Sequence, residues 1–417
     1  MSTFSSLHIR NYRLYFIGQG ISLSGTWMQS IGQAWLVLTL TGSGTALGLV
    51  TALQFLPVLL LAPAAGVIAD RFSKRRILFI TQSVAATLAL ALAVLVATGA
   101  IRLWMIYILA ISYGLTNTVD NPTRQSFVLE LVGRDALRNA VTLNSTEINL
   151  TRVIGPAIAG VLIAGIGFAP CFFINSASFM AVLVCLFLMR GDELHRTDPI
   201  KRLKGQLRQG FRYVRRTPLL RDVLIMMGII GTLTYEFQVT LPLIAKFTFH
   251  GSANAYAILT SAMGIGAVLG GLATAGRRRR SPFGIASAAL AFGAAILLAA
   301  MSPTLPLAVA AMVAVGACSI SFTSLSNATL QLESAPQMRS RVMSLWTVAF
   351  LGSTPVGSPV IGWIGEYSSP RWAMAAGGLA ALTAAAYGFL ALRRHTLPAP
   401  GRAETGAVAA EAEERSL

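Results

Sequence analysis

Charged side chains are scarce in this chain, and acidic ones are the scarcest. Only 12% of its 417 residues are charged and 54% are hydrophobic, whereas soluble domains carry about 25% charge. So little polar surface cannot face water on all sides. The composition therefore excludes an ordinary soluble protein and indicates that lipid covers most of the fold.

Cysteine and histidine are also rare, with three and four copies. Cys171, Cys185 and Cys318 lie inside apolar stretches and form neither a metal-ligand spacing nor a disulfide framework. Their context is typical of small buried side chains. All four histidines lie outside the apolar stretches, which argues against a histidine proton relay.

Motifs of catalysis are missing from the sequence. It contains no phosphate-binding loop and no nucleophile–base pair gathered at one membrane interface. We therefore predict that the chain is not an enzyme and that it uses no cofactor and no metal.

Long apolar stretches are abundant instead. A helix needs about 20 mainly apolar residues to cross the hydrocarbon core of a bilayer, and twelve stretches are of about this length. They predict an all-α membrane protein with twelve transmembrane helices. The predicted spans are 14–40, 45–69, 76–98, 103–121, 140–163, 168–189, 223–245, 255–276, 284–301, 304–326, 343–364 and 372–392.

Basic residues lie in short runs between these stretches. The net charge of +17 would suggest nucleic acid in a soluble protein, but this distribution does not, and no nucleic-acid partner is expected. With a cytoplasmic N-terminus, 29 of the 33 Lys and Arg residues fall on the cytoplasmic side, as the positive-inside rule requires. We predict a multi-pass protein of the inner (plasma) membrane with both termini in the cytoplasm.

Polar composition divides the chain into four parts. We predict a six-helix bundle at 1–190, a cytoplasmic linker at 191–222, a second six-helix bundle at 223–395 and a disordered cytoplasmic tail at 396–417. The linker is either an amphipathic helix on anionic lipid or a plain solvated connector.

The two predicted bundles resemble each other in sequence. Matching positions recur at offsets of 202 to 206 residues and in the same order, which predicts two parallel repeats related by an axis along the membrane normal. The matches are GVIADRFSKRR (66–76) with GGLATAGRRRR (270–280), Asn121 and Gln125 with Asn327 and Gln331, Arg138 with Arg341, Pro156 with Pro359, and Gly160 with Gly362.

The segment GVIADRFSKRR resembles the loop signature of the major facilitator superfamily. The stretches DNPTRQ (120–125), 139–160 and 234–245 are similar to its enterobactin-exporter-like branch of secretion effectors. This resemblance implies a monomeric transporter that lies in the lipid bilayer and takes a small-molecule substrate together with protons.

In that family the loop after the second helix acts as a cytoplasmic latch between the bundles. The resemblance implies that Asp70 faces the N-terminus of a partner helix in the outward-facing state, where a helix dipole favours an anion. The alternative is a simple cluster of positive-inside charges. The implied latch residues are Gly66, Asp70, Arg71, Lys74 and Arg75.

Polar side chains recur on one face of the first, fifth and seventh predicted helices. On the first helix, Gln19, Gln29 and Gln33 share a face, with Gly18, Gly25 and Gly32 beside it for close packing. Polar groups avoid lipid, so each face lines either a wet cavity or an interhelical contact. The other candidates for the cavity are Asn149, Tyr235 and Gln238.

Four ionisable residues lie in the predicted spans or at their edges: Asp120, Glu147, Arg152 and Glu236. An unpaired carboxylate near the membrane centre would bind a proton, and Arg152 requires an acidic partner, an anionic substrate or water. The alternative is a permanent ion pair within the protein. We predict that Glu236 is the principal proton carrier and that Asp120 is the reserve.

Together these features predict a proton-coupled exporter of a small organic molecule, a siderophore or a drug-like compound. Two alternatives stay open at this point. One is an importer of a small metabolite with the same fold, and the other is a membrane sensor or scaffold that does not transport.

Overall fold

The computed structural model describes residues 4–195, 206–275 and 282–393. Twelve long helical segments follow one another in these residues, numbered α1 to α12. Their bounds are Arg10–Thr41 (α1), Gly44–Arg71 (α2), Lys74–Ala97 (α3), 103–132 (α4), 134–166 (α5), Phe168–Leu188 (α6), Pro218–Thr248 (α7), Ala253–Ala275 (α8), Pro282–Met301 (α9), Leu305–Glu333 (α10), Arg339–Tyr367 (α11) and Pro370–Arg393 (α12).

Length and composition fit a membrane-spanning fold. Ten of the described segments are long and apolar enough to cross a bilayer, with α4 and α5 counted as one. The remaining helix, α1, has 32 residues, but its stripe of Gln, Ser and Thr makes it less apolar. The predicted all-α fold with twelve membrane helices is confirmed.

The largest difference from the predicted spans lies between α4 and α5. The sequence predicts a loop at 122–139, but helix continues on both sides of Gly133. Gly133 has φ 69° and ψ −177°, a conformation available to glycine, so one helix ends and the next begins within one residue. The polar residues that suggested a loop instead extend both helices beyond their apolar spans.

Helices α7 and α11 are broken within the membrane span. The helical piece after each break contains a proline, which lacks the N–H donor of the ladder. Irregular backbone inside a membrane is tolerated where it lines a cavity or is buried in protein. The pieces are Pro218–Leu233, Phe237–Leu243 and Ile244–Thr248 in α7, and Arg339–Leu351 and Thr354–Tyr367 in α11.

Helix α1 packs closely against α6. A Cβ atom added at Gly18, Gly25 or Gly32 would come within 3.1 Å of an α6 side chain at each position. The three glycines therefore let the two backbones approach, and the predicted packing stripe is confirmed.

Helices α1–α6 meet helices α7–α12 where α1 ends and α2 begins, which we call the closed end. Here α2 packs on α11, and α5 packs on α8. A Cβ at Gly362 would lie 2.3 Å from the carbonyl oxygen of Gly44, and one at Gly160 would lie 2.8 Å from the Asn254 side chain. Gly160 and Gly362 are matching positions of the sequence repeat, so the two repeats make corresponding contacts.

The opposite, open end carries exposed polar side chains on helices of both groups. Thr142 and Ser145 on α5 and Ser344 and Thr347 on α11 are exposed. Each donates its hydroxyl to a carbonyl of its own helix. Because polar side chains avoid lipid, we place these residues on a cleft between the two groups of helices.

Part of the predicted linker is helical. Gln206–Arg216 forms a short helix, and the hydroxyl of Tyr213 in it accepts a hydrogen bond from the backbone N–H of Ala335 at 3.1 Å. This contact attaches the linker helix to the segment between α10 and α11. Residues 196–205 of the linker and the predicted tail at 396–417 lie outside the described residues.

Candidate functional site

A small polar cavity lies at the centre of the bundle. Its volume is about 30 Å³, room for water but not for an organic molecule. Helices of both groups line it, so its size changes when the groups separate. The predicted residues Gln29, Gln33 and Gln238 contribute to its wall, together with Thr26, Gln54 and Asn175.

Gln19, predicted for the same cavity, lies elsewhere in a buried cluster. The carboxylate of Asp120 accepts hydrogen bonds from Thr81 Oγ1 at 2.5 Å, from Gln82 Nε2 at 2.9 Å and from Arg124. Arg124 also donates to Gln19 Oε1 at 2.6 Å. One of these three donors, Arg124, is a cation, so Asp120 and Arg124 form a buried ion pair.

Glu147 on α5 is buried without such support. Neither carboxylate oxygen has a hydrogen-bond partner among the described residues. The side chain lies against α1, where a Cβ at Gly20 would be 2.8 Å from Glu147 Oε1. A buried charge without partners costs several kcal/mol, so this carboxyl is suited to binding a proton.

Glu236 occupies the break of α7. It precedes the piece Phe237–Leu243 and is 1% exposed. Thr354 on α11 donates a side-chain hydrogen bond to the carboxyl group, while Oε1 has no partner in the described part of the chain. A Cβ at Gly357 would lie 3.0 Å from Oε1, so this glycine leaves the space that the carboxyl occupies.

Arg152 on α5 lies beside the ring of Trp27. Its guanidinium carbon is 5.0 Å from the centre of that ring, and its buried Nε has no acceptor among the described residues. The sequence left a permanent ion pair as an alternative for Arg152, but the described ion pairs do not join it to Glu236.

Tyr235 is held in an aromatic cluster next to Glu236. Its ring packs edge-on against Phe350 and Phe237, and its hydroxyl accepts a hydrogen bond from Ser319 Oγ at 3.0 Å. Asn149 is less constrained, since within the described residues its amide donates to the carbonyl of Ser145 on the same helix, at 2.8 Å. Tyr235 is therefore fixed in position, and Asn149 is free to turn toward the cleft.

The predicted latch residues contact neighbours within α1–α6. Lys74 Nζ lies 2.6 Å from Glu130 Oε1, and Arg75 donates to the carbonyls of Leu186 and Phe187 at 2.9 and 3.1 Å. These bonds tie α3 to α4 and α6. Gly66 is buried, Arg71 is exposed, and the side chain of Asp70 lies outside the described residues. The latch in the outward-facing state stays a prediction.

Two charged residues clamp the closed end. The carboxylate of Glu366 on α11 accepts from Ser43 Oγ at 2.6 Å and from the backbone N–H of Thr45 at 2.8 Å, at the N-terminus of α2. Lys246 on α7 donates to the carbonyl of Leu38 at 2.6 Å, near the C-terminus of α1. Each charge meets the helix end of opposite partial charge, so the clamp holds the turn between α1 and α2.

We expect Glu366→Gln to loosen this clamp. The substitution removes a charge worth about 1 kcal/mol at a helix N-terminus, which should reduce the ratio of closed to open molecules by about fivefold. Spin labels at Thr98 and Thr304, both exposed at the closed end, report this separation. Glu333→Gln, which changes an exposed carboxylate at the other end of α10, serves as the control. Identical distance distributions in Glu366→Gln and in the parent would contradict the clamp.

Four of these residues are not predicted from the sequence. The predicted span 103–121 ends before Arg124, although its i,i+4 spacing from Asp120 is visible. Trp27 gave no signal beyond its apolar character. Glu366 and Lys246 lie at predicted span ends, and their roles depend on contacts between distant parts of the chain.

The sequence matches the model of the transmembrane secretion effector family over residues 1–407. The staphyloferrin A transporter of Staphylococcus aureus is 31% identical over 265 residues, which are 62% of this chain and 65% of that protein. The multidrug efflux pump Tap of Mycolicibacterium fortuitum is 24% identical over 80% of this chain and 84% of its own. The enterobactin exporter EntS of Escherichia coli O1:K1 is 26% identical, with shares of 85% and 82%.

Solved structures share the fold. A POT family transporter in complex with 5-aminolevulinic acid has a TM-score of 0.76 at 11% identity and covers 93% of this chain and 97% of its own. An inward-facing, occupied bacterial homolog of the lysosomal transporter Spinster has a TM-score of 0.75 at 16% identity, with shares of 92% and 97%. The match of family, fold and repeat leads to one assignment: this chain belongs to the transmembrane secretion effector family of the major facilitator superfamily and is a multi-span membrane transporter, not an enzyme.

Proposed function

We propose that the chain is a proton-coupled exporter of a small organic molecule, either a siderophore or a drug-like compound. The relatives with these names make both substrate classes candidates. The observation that carries proton coupling is Glu236, a buried carboxyl with an unpartnered oxygen at a break in α7.

The position of Glu236 links proton binding to the movement of helices. Its carboxyl lies between α7 and α11, against Thr354 and Gly357. In the closed pocket one carboxyl oxygen has the Thr354 hydroxyl as a donor and the other has none among the described residues, so the carboxyl holds its proton there. When the surrounding helices separate and water enters, the proton can leave. Binding on one side and release on the other make an antiport cycle.

Glu147 is the second candidate for proton binding, in place of Asp120. Asp120 already accepts hydrogen bonds from Thr81, Gln82 and Arg124, whereas the carboxyl of Glu147 has no such donors among the described residues. A group that must take up and release protons cannot be held permanently as an ion.

We assign the open end to the cytoplasm. The basic residues that cluster at this end support the assignment, and so does the need for an exporter to admit its substrate from inside the cell. The protein is then an inner-membrane monomer of two six-helix bundles with both termini in the cytoplasm.

Cysteine labelling tests this orientation. In a background without Cys171, Cys185 and Cys318, a membrane-impermeant maleimide applied to intact cells should label Thr304→Cys at the closed end and leave Asp192→Cys at the open end unlabelled. Both positions are exposed, so accessibility of the side chain does not separate them. Labelling of Asp192→Cys in intact cells, at the level reached in permeabilised cells, would overturn the orientation.

A transport experiment tests the function itself. The chain is expressed in a strain that lacks its own exporters, and tolerance to a compound panel and secretion of siderophore are measured with and without a protonophore. We expect at least one compound to be exported and its export to collapse with the protonophore. Export that persists without a proton gradient would rule out proton coupling.

A further inference from the structure

The guanidinium of Arg152 lies at the inner end of a polar path along α5. Thr142, Ser145 and Asn149 lead from the open end toward it on one face of the helix. Beyond it α5 packs on α8, since Ser261 Oγ donates to the carbonyl of Val153 at 3.1 Å. Arg152 is therefore positioned where the cleft stops and the contact between the two groups of helices begins.

Arg152 has no acidic partner within the described residues. The described ion pairs join Lys74 with Glu130, Asp120 with Arg124, Arg190 with Glu193 and Arg221 with Asp222. Two buried carboxyls of the described residues have an oxygen without a hydrogen-bond partner, and they lie elsewhere, Glu147 against α1 and Glu236 against α11. Arg152 instead meets the Trp27 ring, and the ionisable group that acts on it from α7 is the hydroxyl of Tyr235.

This environment suits a ligand with one negative charge. A guanidinium keeps its charge at physiological pH and offers a planar fork of donors that matches a carboxylate. The Trp27 ring lies beside the guanidinium, and Nε has no acceptor among the described residues, so this donor is available to a ligand. Tyr235, whose hydroxyl is bonded to Ser319, brings no second positive charge, so a single carboxylate fits better than a phosphate dianion.

We infer that Arg152 is the anion subsite of the transporter and binds a carboxylate of its substrate, with Trp27 orienting the guanidinium. This inference rests on the proposed function, since it takes the bound molecule to be the transported substrate. It assigns the transported compound to the carboxylates and makes Arg152 the residue that distinguishes a carboxylate from a neutral analogue of the same shape.

Matched probe pairs test the subsite on the purified full-length protein. Each pair is a carboxylate and its primary amide, namely 2-naphthoate and 2-naphthamide, salicylate and salicylamide, and hippurate and hippuramide. Binding is measured by tryptophan fluorescence or by thermophoresis. We expect the parent to bind at least one carboxylate about tenfold or more tightly than its amide, because a charge-assisted bidentate contact is lost with the amide.

Variants of Arg152 separate recognition from folding. Arg152→Gln should abolish the preference for the carboxylate while binding of the amide persists, and Arg152→Lys should retain part of the preference because it keeps the charge without the fork. Arg134→Gln, which changes an exposed arginine of the same helix, should behave like the parent. If Arg152→Gln does not fold, Arg152→Lys carries the comparison.

Two outcomes would overturn the inference. One is a parent protein that prefers no carboxylate over its amide, and the other is an unchanged preference in the Arg152 variants. If the parent protein lacks this preference but exports uncharged compounds with the proton gradient, the subsite is wrong and the proposed function stands. If the preference depends on Arg152 but the protein exports nothing, the subsite stands and the proposed function is wrong.

Discussion

Glu236→Gln is expected to reduce proton-driven export to the background of cells that lack the protein. Glutamine has the shape of the protonated carboxyl but cannot release a proton, so the variant should stay in the protonated-like state. Binding of the exported compound and its downhill exchange should persist, because the amide still fits beside Thr354 and Gly357. Export against a gradient and exchange are measured in proteoliposomes with an imposed pH difference.

The control for this variant is Glu333→Gln, which neutralises an exposed carboxylate outside the site and should leave export unchanged. Glu147→Gln identifies the second candidate and should also impair coupling if two protons move per cycle. The assignment of Glu236 is wrong if Glu236→Gln exports against a gradient as well as the parent and if that export still collapses with a protonophore.

Gly48→Val is expected to stop transport by a different mechanism, because it prevents the closed end from forming. A Cβ at Gly48 would lie 2.4 Å from the carbonyl oxygen of Ser358 and 2.9 Å from the Cα of Pro359, and backbone atoms cannot move aside as side chains do. The closed contact between α2 and α11 cannot form, but the separated state tolerates the valine. Transport should fall to background while the protein still folds, and the cavity should remain open at this end.

Labelling of Gln33→Cys in the cavity wall measures this state. In a cysteine-free background, a maleimide applied from the closed-end side should react much faster in Gly48→Val than in the parent. Gly228→Val is the matched control, because a Cβ at Gly228 meets nothing within 4 Å. Equal labelling rates in Gly48→Val and in the parent would show that closure does not depend on this contact.

Periodicity was enough to predict the parts of the fold that depend on one helix at a time. The helical period placed Gly18, Gly25 and Gly32 on one face of α1, and all three pack on α6. Hydropathy placed the spans but not the helix ends. A helix that leaves the membrane continues with polar residues and keeps its helical period. The predicted span 103–121 therefore ends before Arg124.

The four ionisable candidates were predictable from the sequence, but their pairings were not. The cost of burying charge singled out Asp120, Glu147, Arg152 and Glu236 from the sequence. Whether each finds a partner depends on residues from other helices, such as Thr81 and Gln82 for Asp120. The break at Glu236 was not predicted either, because the polar residues beside it do not by themselves show where a helix is interrupted.

The glycine contact between α2 and α11 has a thermodynamic consequence. Gly44, Gly48 and Gly362 have no side-chain rotamers, so closing this seam loses almost no rotamer entropy. Few contributions to the free energy then oppose closure, and few favour it. The favourable ones are chiefly backbone packing and the charges of Glu366 and Lys246 at their helix ends. Two conformations that differ by such small terms lie close in free energy, so binding of a proton or a small molecule is sufficient to shift the population from one to the other.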